Sequence, residues 1–142
     1  MKKRILTFCI GLAATFLLSS CTVEGNPLPA GMEETAVLDA GREIVAELNA
    51  GDWQNIYDQL RSDAQTSTGS PAAIQAHMEY VLEKVGPYVS EEEAMATGQK
   101  LKDSGEEYAT AVFYCQHEKN QAMYRIAFSA DMELIGLQVT KQ

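Results

Sequence analysis

The 142-residue chain is short of the residues on which most small-domain chemistry is built, with three cysteines, two histidines and one tryptophan. It has no glycine-rich phosphate loop, no serine-centred nucleophile elbow and no His-Glu-x-x-His pair, so the common nucleotide, hydrolase and zinc-peptidase signatures are missing. Positive charge is scarce as well. Of eleven Lys and Arg, three are Lys2, Lys3 and Arg4, and all twenty Asp and Glu follow position 21, so the rest of the chain carries eight cations against twenty anions, a net of −12. Such a surface repels phosphate backbones and anionic headgroups, which excludes nucleic acid as a partner and a basic membrane-docking face. No internal repeat and no long low-complexity stretch is present.

What is there begins at the N-terminus. Met1-Lys2-Lys3-Arg4 is positive, Ile5 to Leu18 is apolar, and Ser19-Ser20 are small. These are the three parts of a secretory signal, and the apolar run is shorter than the roughly 20 residues that span a bilayer with ease. Leu18-Ser19-Ser20-Cys21 resembles the bacterial lipobox, in which a cysteine sulfur takes up a diacylglyceryl group and becomes the first residue of the mature chain. The expectation is a signal peptide over 1–20, a lipidated Cys21 with a flexible tether over 21–32, and a folded domain over 33–142. Each buried CH₂ of an acyl chain contributes about 0.8 kcal/mol, so two or three chains hold a protein on a membrane durably.

With Cys9 discarded and Cys21 acylated, Cys115 is the only thiol left in the domain, and the fold must stand on its core without a disulfide. Thr22 to Gly31, TVEGNPLPAG, reads as an extended spacer of about 30 Å. From Glu33 to Asn49 the apolar positions Val37, Ala40, Ile44 and Leu48 fall on one helical stripe. Asn49-Ala50-Gly51 stops that helix, Asp52 caps a second with Trp53, Ile56, Tyr57 and Leu60, and Ser62 to Gly69 reads as polar connection. Ser70-Pro71 starts a third helix carrying Ile74, Met78, Val81, Leu82 and Val85, and Gly86-Pro87 ends it. The period then changes to two. Tyr108–Cys115 and Ala122–Phe128 flank the turn His117–Asn120 as a hairpin, and Leu134–Thr140 makes a last strand with Ile135, Leu137 and Val139 on one face. Glu92–Lys102 reads as an earlier strand, although Ser90 and Glu93 also form a helix-capping pattern. The resulting fold class is α+β, three N-terminal helices on one face of a curved antiparallel sheet of three to four strands.

Glu47-Leu48-Asn49-Ala50-Gly51-Asp52-Trp53, Val85-Gly86-Pro87-Tyr88 and Phe128-Ser129-Ala130-Asp131 with Ile135-Gly136-Leu137 resemble an uncharacterised bacterial family, domain of unknown function 3887. The resemblance spans about Glu33 to Val139 and implies the cone-shaped, nuclear-transport-factor-2-like architecture. Its motifs are turn and packing residues, so they speak to fold and leave activity open.

Candidate chemistry is sparse. His77 borders the apolar stripe of the third helix, where it would either close the edge of the core or face a cavity as a base. Cys115 and His117 share a strand face, a spacing that suits a thiolate–imidazole pair or zinc, although no further ligand pair accompanies them. Glu91-Glu92-Glu93 lacks the alternating Asp/Asn and glycine of a calcium loop and reads as a solvated run. Asp58 and Asp63 would act as acid or base only if they pointed into a cavity. Trp53, Tyr57, Tyr88, Tyr114 and Tyr124 either fill the core or line an apolar pocket. No metal or cofactor is implied. The reading that follows is a lipid-anchored, extracytoplasmic domain, non-catalytic, that binds a small apolar ligand or an envelope protein. An enzyme with an acid/base site inside the cone is the alternative, and a homodimer through the outer sheet face is the third.

Overall fold

The computed structural model describes residues 25–142. The signal sequence and Cys21 lie outside them. Among the described residues four helices, α1 (Glu34–Ala50), α2 (Trp53–Gln59), α3 (Ser62–Thr68) and α4 (Pro71–Val85), precede four strands, β1 (Tyr88–Lys100), β2 (Glu107–His117), β3 (Gln121–Ser129) and β4 (Leu134–Lys141). The strands form one antiparallel sheet in the order β1-β2-β3-β4. The α+β class and the helices-then-meander order hold.

The expected punctuation is in place. Gly51 (φ 72°) closes α1 in the left-handed region, and the Asp52 amide donates to the Glu47 carbonyl. The Asp52 carboxylate accepts from the Asn55 amide and the Ser70 hydroxyl from the Ala73 amide, so both predicted caps act. The first surprise is α3, in a stretch that reads as connection. It buries no residue, so no apolar period betrays it. Thr66 and Ser67 instead return their hydroxyls to the Ser62 and Asp63 carbonyls, at 2.9 and 3.0 Å.

One core lies between the helices and the inner sheet face. Val37, Ile44 and Leu48 of α1, Ile56 of α2, and Ile74, Met78 and Val85 of α4 meet Ala111, Phe113, Tyr124, Ile126 and Phe128. Helix α1 approaches so closely that a Cβ on Gly41 would sit 2.7 Å from the Phe113 ring. On β4 the expected face is corrected. Phe128 pairs with Leu134 while Ala127 pairs with Gly136, so Ile135 is the extra residue of a bulge and Leu134, Leu137 and Val139 face inward.

The spacer is corrected too. Asn26 to Met32 does not stand free. Pro29 is buried, Leu28 and Met32 pack against the core, and the Gly98 amide on the free edge of β1 donates to the Asn26 carbonyl at 3.0 Å. Leu28 and Pro29 supply enough apolar surface to dock what the prolines only prevent from coiling.

Candidate functional site

Two places gather polar groups against the core. The first is internal. His117 ends β2 with its ring fully buried, and Nδ1 lies 2.7 Å from the Gly86 carbonyl, which can only accept, so Nδ1 carries the proton. Nε2 then accepts from the Tyr124 hydroxyl at 2.9 Å, and that oxygen accepts from the Asn49 amide at 3.0 Å. Asn49 also donates to the Val45 carbonyl at 2.8 Å. The chain Asn49–Tyr124–His117–Gly86 thus ties α1, β3, β2 and the end of α4 together, with every donor in use. Burial raises the Tyr124 hydroxyl well above the ordinary phenol range.

Cys115 and His117 do share the inner face, as their spacing predicts. They do not make a nucleophilic pair, because the imidazole is committed to Gly86 and Tyr124. Burial pushes the Cys115 thiol up to about 11, so it remains protonated near neutral pH.

The second place is a cleft of about 560 Å³ open to solvent between α3, α4 and β4. Its floor is apolar, from Leu60, Ile74, Met78, Ile135 and Leu137, and its rim carries Arg61, Asp63, Ser67, Thr68 and His77. The floor exists because Leu60 bridges to Leu134 and the Arg61 amide donates to the Leu134 carbonyl at 2.8 Å, which draws the end of α2 onto β4 beside the bulge. Arg61 is clamped on both sides, with paired bonds of 2.8 Å to Asp63 and further bonds to Glu106. The Arg61 guanidinium holds the Asp63 carboxyl down to about 2 and lowers Glu106 as well, while the two carboxylates raise Arg61. This rim is an ion cluster of one guanidinium between two carboxylates, net negative by one charge, beside a greasy floor.

The remaining candidates disperse. His77 is exposed at the cleft rim. Asp58 is exposed on α2 and accepts from Gln54. Glu91 pairs with Arg42 through two bonds of 3.0 Å, and Glu92 accepts from Ser90, so the acidic run lies along a strand rather than around an ion. Among the described residues no three acidic, His or Cys side chains are gathered as metal ligands. Trp53 and Tyr57 edge the core, Tyr124 is inside it, Tyr88 is partly exposed and Tyr114 lies on the outer sheet face. The five aromatics therefore do not line one pocket. Asn49, Arg61, Glu106 and Ile135 were not singled out by sequence. Asn49 reads as a helix stop, and Arg61 and Glu106 lie 45 residues apart with no pattern to join them.

An antiparallel sheet backed on one face by helices, with a packed interior and an external cleft, defines a small α+β domain of the type whose activity the fold does not dictate. The chain belongs to the family described as "Protein of unknown function (DUF3887)", which matches residues 41–137. Among solved structures it is similar to an "NMR structure of protein from Ruminococcus gnavus ATCC 29149", with a TM-score of 0.65 and 21% identity over 80% of this chain and 96% of that one. A search of curated proteins finds no match.

Proposed function

We propose that the protein is a membrane-anchored, extracytoplasmic lipoprotein whose domain binds a small apolar ligand, or an apolar side-chain cluster of an envelope protein, in the cleft between α3, α4 and β4. The observation that carries the binding role is the contrast between the two polar places. The interior cluster has spent its donors and acceptors on itself, and among the described residues no buried side-chain polar atom lacks a partner. The cleft instead offers an apolar floor to solvent, rimmed by hydrogen-bonding side chains in which Arg61 is already paired with Asp63 and Glu106. Such a site suits a ligand with an apolar body and a polar end.

The anchor rests on the three-part signal ending in Leu18-Ser19-Ser20-Cys21, and among the described residues no helix is long and apolar enough to cross a membrane. Mass spectrometry of the membrane-extracted protein should find an N-terminal acylated Cys21, and Cys21→Ser should move the protein out of the membrane fraction. For the cleft, medium-chain fatty acids and alcohols titrated into ¹⁵N-labelled protein should shift the amides of Leu60, Ile74, Met78 and Ile135 together, and Ile135→Glu should abolish the shifts. Shifts scattered over the surface, or none, would sink the cleft reading and leave the anchor reading untouched.

A further inference from the structure

Residues 25–29 cross the free edge of β1 from one face of the sheet to the other. Pro27 and Leu28 pass over Gly98 on the inner face: a Cβ built on Gly98 would lie 1.8 Å from the Pro27 carbonyl oxygen. Gly98 is not held at positive φ, so the strap's close approach, and not backbone conformation, accounts for the glycine. At the edge the Gly98 amide donates to the Asn26 carbonyl, and on the far side the Asn26 amide donates to the Thr97 hydroxyl at 3.1 Å. Thr97 belongs to the outer face, with Met95, Thr110, Val112 and Tyr114. The chain therefore leaves the domain toward Cys21 from the outer sheet face.

From these contacts we infer that the strap turns the outer face of the sheet toward the bilayer and holds it there. The inference rests on the acylation of Cys21. From Cys21 to Gly25 the chain can reach at most about 14 Å, against about 30 Å for a free spacer ending at Gly31. A domain of this size has a radius of gyration of about 13 Å, so its diameter exceeds the leash and the exit face cannot swing away from the surface. Charge agrees. The outer face carries Arg125 in its centre and Glu93 opposite Tyr114 toward one end, with uncharged Met95, Thr97, Thr110 and Val112 between, so it is near neutral on a body whose net charge is strongly negative. It is the side that a headgroup layer repels least. The cleft residues of α3 and α4, which pack on the inner side, are left facing away from the lipid.

The test uses the full lipidated chain in phosphatidylcholine vesicles doped with a headgroup-linked nitroxide. A fluorophore is placed at Gln138→Cys on the outer face or at Glu79→Cys on the exposed side of α4; buried Cys115 does not compete for label. Quenching at position 138 should exceed that at 79 severalfold. A ten-residue Gly-Ser insertion between Val23 and Glu24, ahead of the described residues, should erase the difference. Gly98→Val, which evicts the Pro27 carbonyl, should reduce it. Equal quenching at both sites in the acylated parent, or a difference that survives the insertion, would overturn the orientation alone. An unmodified Cys21 by mass spectrometry would overturn the anchor and this inference together.

Discussion

Replacing Tyr124 by Phe removes one oxygen from the middle of the Asn49–Tyr124–His117–Gly86 chain and changes almost no volume. Asn49 keeps its bond to the Val45 carbonyl, but His117 Nε2 is left buried with no donor. An unsatisfied buried acceptor costs about 1–3 kcal/mol, so a loss near 2 kcal/mol is expected. For a domain of this size that lowers Tm by about 10 °C. Urea unfolding of the non-lipidated domain, followed by circular dichroism at constant m-value, measures it. A companion His117→Leu variant and the double variant complete a cycle. Since the two groups act as one unit, the double variant should lose at least about 1 kcal/mol less than the two single losses added together. A loss under about 0.5 kcal/mol with additive effects would refute the reasoning. It would mean that water reaches His117 Nε2, and an acid/base site inside the fold would regain its footing.

Three further outcomes follow from the same packing. Cys115, with its thiol raised to about 11 by burial, should not react with a disulfide reagent at pH 8 in the native state and should react fully in denaturant. The Asp63 carboxyl, held down to about 2 by Arg61, should titrate there in ¹³C-detected NMR and return toward the ordinary carboxylate range in Arg61→Gln. Its pKa is lowered on folding, so its contribution to stability is present above the unfolded carboxylate pKa and fades as pH falls toward 2. Gly41→Val should destabilise by about 1–3 kcal/mol, despite valine's better helix propensity, because the Phe113 ring stands 2.7 Å from the new Cβ.

The elements were legible where one signal governed them. Val37, Ile44 and Leu48 repeat at helical spacing, Asp52 and Ser70 cap what they were expected to cap, and Gln121–Ser129 alternates as a strand with a buried face should. Legibility failed where the deciding interaction was distant or non-repetitive. Ser62–Thr68 is helical through hydroxyl-to-carbonyl bonds that leave no apolar period. Ile135 looks like one of three residues on a shared face until its pairing with β3 shows the bulge. Pro27–Pro29 carries the composition of a spacer, and only the glycine at position 98, seventy residues on, makes room for it on the sheet. For the site, His77 was placed near a concavity and Cys115 with His117 on one face. That Arg61 would close a rim with Glu106, or that Asn49 would complete the histidine's network, needed the tertiary contacts themselves.

Those failures share a cause that also explains how the fold makes an accessible cleft while closing its interior. A sheet backed by helices must fill the wedge between them, and here Phe113, Tyr124 and His117 do so from the strands while α1 comes down onto Phe113 at Gly41. Large polar-tipped side chains fit a buried wedge only if their tips find partners, so the filling residues bring their own hydrogen-bond chain and spend it internally. At the opposite end Leu60 reaches β4 through a bridge to Leu134, and the bulge at once adds Ile135 to the cleft floor beside it. Between α3, α4 and β4 at that point, apolar floor is left open to solvent. Binding capacity thus arises at the place where strand pairing is irregular, and Arg61, fixed between Asp63 and Glu106, stands at its rim.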